Sequence, residues 1–187
     1  MIRLFTAIEL PEEVRQRMAM LCAGLPGARW VPPENLHLTL RFIGEVDNGT
    51  FQDIGAALGE IEAPAFEMEL DGVGYFGSGK IPRSVHVNVA RNPAVMHLYH
   101  KIESRLVRLG LPREKRKFMP HVTLARLKGT APERIGTFIS HNNLFHAGPI
   151  MVDHFTLYSS FLSHSGSIHR VEHVYPLAGA DPGWDED

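Results

Sequence analysis

Apolar and polar residues along this chain switch repeatedly between two periods, one of two residues and one of three to four, and the switches mark its elements. Ile2 to Glu9 (IRLFTAIE) predicts a first strand, closed by Leu10 and Pro11. Pro11 followed by two glutamates opens a helix whose apolar stripe is Val14, Met18, Leu21 and Leu25, with Pro26 and Gly27 as its stop. A proline-bearing loop, Trp30 to Asn35, leads into an apolar strand that runs on to Val46. Asp47 or Asn48 caps the next helix, which turns Ile54, Leu58 and Ile61 to one side and ends before Pro64. Phe66, Met68 and Leu70 then alternate with Glu67, Glu69 and Asp71, the signature of a half-buried strand.

The scheme restarts after residue 80. Val85, Val87 and Val89 predict a strand, and Asn92 and Pro93 open a helix with Val95, Leu98, Ile102, Leu106 and Leu109 on one face and Gly110 as its stop. A loop rich in Arg and Lys leads to another apolar strand from about His121, a short helix spans Pro132 to Ile139, and Ile150 to Tyr158 reads as one strand. A turn at Gly166 and a closing strand complete the body. Each half thus runs strand, helix, strand, helix, strand. From Leu4 to His37 is 33 residues and from Val87 to His121 is 34, which supports an internal duplication about a pseudo-twofold axis. We expect a single bilobal domain over residues 1–179, with interwoven halves of roughly 1–80 and 81–179, followed by an acidic, loosely ordered tail at 180–187.

Composition narrows the class without naming a function. The chain has 187 residues, 44% apolar and 21% charged, ordinary values for a globular protein. No run approaches the ~18 apolar residues of a membrane helix, and acidic residues and proline stand where a signal peptide has its apolar core. The single cysteine, Cys22, cannot form an internal disulfide, and a cytoplasmic location is expected. Cys22 falls in the first helical pattern and reads as a small core residue. The net charge is −2, but four of the 21 acids lie in the tail, leaving 17 against 19 bases in the body. Arg113, Lys115, Arg116 and Lys117 stand just before the strand at His121. They fit either an electropositive approach for a nucleotide end or a solvated loop.

The chemistry lies in a repeated pattern of histidine, apolar residue, threonine, leucine. His37, Leu38, Thr39 and Leu40 return 84 residues later as His121, Val122, Thr123 and Leu124. A strand sends alternate side chains to one face, so His37 stands beside Thr39 and His121 beside Thr123. An imidazole gives and takes a proton near neutrality, and a hydroxyl can donate to a phosphoryl oxygen. Two such pairs facing one another across a cleft supply a general acid and a general base. Two arginines follow, Arg41 and Arg126. Strict alternation puts Arg41 with its histidine and turns Arg126 away, unless the strand twists or bulges. Phe42 stands at the same offset from His37 as Arg126 from His121, and fits a base-stacking surface or a core position.

Other patterns carry less. His154, Phe155, Thr156 and Leu157 repeat the four-residue pattern a third time, without the preceding proline or the half-to-half spacing, and read as structural. Gly74 to Lys80 (GYFGSGK) nearly forms a phosphate-binding loop, but Ile81 replaces the required hydroxyl and Pro82 opens a strand where a helix is needed. We read it as a glycine-rich connection between strands. His97 with His100, and His169 with His173, lack a third ligand, so no metal site is expected.

With these residues in place, the sequence closely resembles the 2H phosphoesterase superfamily, and within it the bacterial and archaeal RNA 2',3'-cyclic phosphodiesterases, also called 2'-5' RNA ligases. LFTAIELP, RWVPPENLHLTLRFIGEV, FEMELDGVGYFG, KFMPHVTLARL and DHFTLYSSFL carry the resemblance. His86, where an aromatic such as Trp is usual, and His169, where Tyr is common, depart from it. The resemblance implies an α+β fold of two pseudo-symmetric lobes, each an antiparallel sheet backed by helices, around a central cleft. It implies hydrolysis of a 2',3'-cyclic phosphate at an RNA 3' end to a 2'-phosphate, with 2'-5' ligation as the reverse reaction, no cofactor, and a monomeric enzyme acting on RNA ends such as tRNA fragments. It carries over His37 and His121 as the catalytic pair, Thr39 and Thr123 as phosphate-oxygen donors, Arg126 as a phosphate contact and Phe42 as a base-side contact. On this reading His37 is assigned as the acid and His121 as the base. A phosphodiesterase for cyclic nucleotides or 2'-5' oligonucleotides, and a non-catalytic module binding RNA ends, are the alternatives.

Overall fold

The computed structural model describes residues 1–178, so the acidic tail expected at 180–187 lies outside the described residues. Among the described residues, nine strands form two sheets. The first contains β1 (Ile2–Glu9), β3 (His37–Val46), β8 (His154–Ser163) and β9 (Gly166–Pro176), in the order β3-β1-β8-β9. The second contains β2 (Ala28–Trp30), β4 (Phe66–Gly77), β5 (Pro82–Val89), β6 (His121–Leu127) and β7 (His146–Val152), in the order β2-β6-β5-β4-β7. Every pairing within the sheets is antiparallel. The helices are α1 (Glu12–Ala19), α2 (Asn48–Gly59), α3 (Pro93–Arg108) and α4 (Pro132–Asn142). The architecture is the two-lobed α+β arrangement expected.

Local chemistry accounts for most boundaries. Asp47 Oδ1 accepts from the Thr50 amide at 2.7 Å to cap α2, and Asn92 Oδ1 accepts from the Ala94 amide at 2.9 Å to cap α3. On α3, Val95, Leu98, Ile102 and Leu106 are all fully buried, as the periodicity requires. In β4, Phe66, Met68 and Leu70 are buried and their acidic neighbours exposed. None of the described helices is long and apolar enough to cross a membrane.

Three boundaries differ from the sequence reading. The first helix ends at Ala19 rather than continuing to Leu25. Met20 is solvent-exposed, and the chain turns through Gly24, at φ +74°, to bring Leu25 into the core by a route that is not helical. The glycine-rich GYFG segment is not a connection, because β4 runs through it to Gly77 and only residues 78–81 turn. The stretch Ile150 to Tyr158 is two strands in different sheets, divided at Asp153. Ile150 and Val152 are buried, then Phe155 and Leu157, so the alternation slips by one residue across the break.

That division interleaves the halves. β8, from the second half, pairs with β1, while β4, from the first half, pairs with β5. Each sheet therefore includes two strands from the other half of the chain, β8 and β9 in the first and β2 and β4 in the second.

Candidate active site

The two motif strands, β3 and β6, belong to different sheets and approach to within 8 Å between Cα atoms. Each begins at its histidine. His37 and Thr39 are partly exposed while Leu38 and Leu40 are buried, and His121 and Thr123 repeat this around buried Val122 and Leu124. The apolar residues anchor each strand in the core and turn each histidine–threonine pair outward.

The alternation breaks after the leucine in both strands. β1 pairs Ala7 with Thr39 and Thr6 with Arg41, passing over Leu40. β5 pairs His86 with Thr123 and Val85 with Ala125, passing over Leu124. These matched bulges move the fifth residue after each histidine to the exposed side and the fourth inward. Phe42 is 54% exposed, and Arg126 is exposed. Arg41, which strict parity assigned to the histidine face, is instead buried beneath it. Its Nε donates to Glu103 Oε2 at 2.6 Å, one terminal nitrogen donates to the Phe42 carbonyl, and the other donates to the Pro112 carbonyl at 2.5 Å. Its guanidinium is consumed within the fold.

His37 is set in a hydrogen-bonded and aromatic surround. Its Nε2 lies 2.9 Å from Thr39 Oγ1. Phe5 stacks on the ring at 5.0 Å between centroids, and His169 meets it edge-on at 5.3 Å. Burial, reinforced by His169, lowers the His37 pKa to about 4, against the pull of a hydrogen bond to the Asn35 backbone. His121 is held at the other ring nitrogen, its Nδ1 lying 2.6 Å from the Met119 carbonyl oxygen. A carbonyl accepts only, so Nδ1 carries the proton and Nε2 is left for the reaction.

The sequence reading missed the part played by two further histidines. His86, opposite Thr123 on the neighbouring strand, sits 5.1 Å from His121, and Phe76 packs against both. His86 is 6% exposed, and Asn88 Oδ1 lies 2.9 Å from its Nε2. Burial first, and the charge of His121 second, lower its pKa to about 4. His169 reaches His37 from β9, with its own pKa lowered by burial. Alternation offered one signal, since Ser84, His86 and Asn88 form the face of β5 opposite Val85 and Val87.

The remaining candidates lie elsewhere. His154 is engaged by Asp153 at 2.6 Å and faces Glu9 at 3.8 Å. Cys22 lies outside the helix, half-buried, and burial raises its thiol to about 11, so it carries almost no thiolate at neutral pH. Among the described residues, no cluster of three or more His, Cys, Asp or Glu could hold a metal ion. A hollow of about 400 Å³ follows not the histidines but residues 111–116, beside Arg41 and Ile43.

Comparison with known proteins gives this geometry its context. The family described as LigT like Phosphoesterase matches residues 8–86 and again 89–169, each stretch carrying one motif. The RNA 2',3'-cyclic phosphodiesterase of Thermotoga maritima is 34% identical over 176 residues, 91% of this chain and 92% of that protein. The RNA 2',3'-cyclic phosphodiesterase of Archaeoglobus fulgidus is 30% identical over 93% of this chain and 99% of that protein. Among solved structures, E. coli LigT complexed with 3'-AMP superposes with a TM-score of 0.76 at 27% identity, covering 94% of this chain and 98% of that one. A Thermus thermophilus structure gives 0.76 at 30% identity, over 96% and 100% of the two chains.

Proposed function

The chain belongs to the LigT like Phosphoesterase family, and we propose that it hydrolyses the 2',3'-cyclic phosphate at RNA 3' ends to a 2'-phosphate. The observation that carries this reading is the matched pair of bulged motif strands, which present His37 with Thr39 and His121 with Thr123 where the two sheets meet. The names of the Thermotoga and Archaeoglobus relatives support the substrate class.

Water attacks phosphorus in line with O3', the P–O3' bond breaks, and the 2'-phosphate remains. One histidine takes the proton of the attacking water, and the other delivers a proton to departing O3'. Thr39, Thr123 and Arg126 donate to the phosphoryl oxygens as charge gathers on them. Phe42, exposed beside this site, offers its ring to the terminal base.

For the proton transfers we propose the reverse of the assignment made from sequence. His37, lowered to about 4, is neutral in the free enzyme and suits the base. His121, held at Nδ1 by the Met119 carbonyl with Nε2 left for the reaction, then takes the part of the acid. What supports this order is the packing of the His37 ring against Phe5 and His169, with its lowered pKa.

The test is incubation with an oligoribonucleotide ending in a 2',3'-cyclic phosphate under EDTA, with 2'- and 3'-phosphate products resolved. Sole formation of the 2'-phosphate is expected. Binding without turnover would make the protein an RNA-end binding module, and exclusive formation of the 3'-phosphate would reverse the in-line geometry.

A further inference from the structure

The hollow along residues 111–116, of about 400 Å³, has no part in the two-histidine chemistry, and its rim is cationic. Arg113, Lys115 and Arg116 project from it into solvent. Arg116 faces Glu114 at 3.5 Å, whereas Arg113 and Lys115 form no ion pair among the described residues. These charges stand on a segment without regular structure that is nevertheless fastened from beneath. The Arg41 guanidinium donates to the Pro112 carbonyl at 2.5 Å, and Glu103 Oε1 accepts from the Glu114 amide at 2.7 Å. Arg41 and Glu103 are 8% and 6% exposed. A buried ion pair adds little net stability, because desolvation offsets the attraction. Here it fixes a basic loop against the middle of β3, where Phe42 emerges on the other side of the strand.

We infer that this hollow is a subsite for the ribose-phosphate backbone of single-stranded RNA, taking phosphates on the 5' side of the terminal nucleotide. The inference rests on the proposed RNA-end chemistry and extends it to the body of the substrate. β3 is the edge strand of its sheet, and an RNA strand that leaves the cleft past Phe42 and rounds this edge meets Arg113, Lys115 and Arg116 in a concavity of nucleotide size. The loop leads directly to Met119 and His121, so the backbone contact and the reacting histidine share one short segment. The subsite favours an RNA end over a free cyclic nucleotide, because only the former has phosphates to place there.

The experiment compares wild-type protein with the Arg113→Ala/Lys115→Ala/Arg116→Ala variant on two substrates, a 2',3'-cyclic mononucleotide and a hexaribonucleotide ending in a 2',3'-cyclic phosphate. For the hexamer, KM should rise about tenfold or more, and the slope of log KM against log salt should fall by about two, from three cations at ~0.7 each. The mononucleotide should react unchanged. Equal changes on both substrates, or none on the hexamer, would overturn the subsite. Binding of a fluorescent hexamer ending in a 3'-phosphate separates this inference from the hydrolytic reading. Binding weakened in the variant upholds the subsite even if neither protein turns over, an outcome that would sink only the hydrolysis. Unchanged binding rejects the subsite. Competition by polyglutamate of equal charge, as effective as the RNA, would make the hollow a general polyanion contact and overturn the RNA assignment.

Discussion

Leu40 and Leu124 occupy the same place in two different sheets: each is the residue that its neighbouring strand passes over. The strand resumes alternation one residue late in both lobes, which brings Phe42 and Arg126 out and takes Arg41 in. Two arginines with nearly equal offsets from a histidine therefore have opposite fates. Arg126→Ala should raise KM and lower kcat on a cyclic-phosphate substrate, since a phosphate contact exists in both the ground and transition states. Steady-state kinetics with unchanged KM would remove Arg126 from the phosphate site.

Arg41 predicts a stability effect instead. Glu103→Ala leaves a buried guanidinium unpaired and should cost about 3–5 kcal/mol, whereas Arg41→Met/Glu103→Leu should recover much of that loss. Urea unfolding monitored by circular dichroism measures both variants. A Glu103→Ala protein as stable as wild type would show that the pair does not hold the loop.

His37→Ala and His121→Ala should each lower kcat by roughly 10²–10⁴ while an RNA end still binds, and the double variant should lose less than the product of the single losses. A substrate with sulphur in place of the leaving O3' separates the two roles, because a thiolate leaves without a proton. His121→Ala should then retain near wild-type turnover, and His37→Ala should not. The opposite pattern would restore His37 as the acid.

Acid stability follows from the same buried imidazoles. His37 and His86 have pKa values lowered from 6.5 to about 4 in the folded state. Between these values the unfolded chain binds more protons than the folded one, so stability falls as pH drops from 6.5 towards 4. It is fully present above 6.5. The shift of His37 is worth on the order of 3 kcal/mol. His86→Phe should flatten the decline in urea midpoint between pH 7 and 4, with the stability at pH 7 little changed. An unaltered slope would mean that His86 does not titrate as its burial requires.

The two rejected motifs make the last prediction. His154→Ala and Lys80→Ala should leave cyclic-phosphate hydrolysis within about tenfold. His154 is occupied by Asp153 and Glu9, and Lys80 lies in the turn between β4 and β5. A loss equal to that of His37→Ala in either variant would show that a real site was dismissed.

The duplicated strand–helix–strand order and both histidine–threonine pairs were legible because they rest on short periods and local caps. The fate of Arg41 was not, because a bulge is a property of two paired strands and only one is visible at a time. The same limit hid the division at Asp153: period two persists on both sides, and nothing local says that Val152 and Phe155 serve different sheets. His169 was passed over for a related reason. Its neighbour His37 lies 132 residues away, and only the pairing of β9 on β8 brings them to 5.3 Å.

The placement of β8 against β1 also sets a timetable for the nascent chain. β1 leaves the ribosome before its partner strands, and its apolar residues Leu4, Phe5, Ala7 and Ile8 need a partner on each side. β3 emerges soon afterwards, but Tyr158, the partner of Phe5 on the other side, is about 150 residues downstream. At 5–20 residues per second that edge stays open for roughly 8–30 s. During that interval the first sheet is a two-stranded ribbon with one sticky side. Protection by a chaperone, or slow pairing with the wrong strand, belongs to this window and ends when the last hairpin closes.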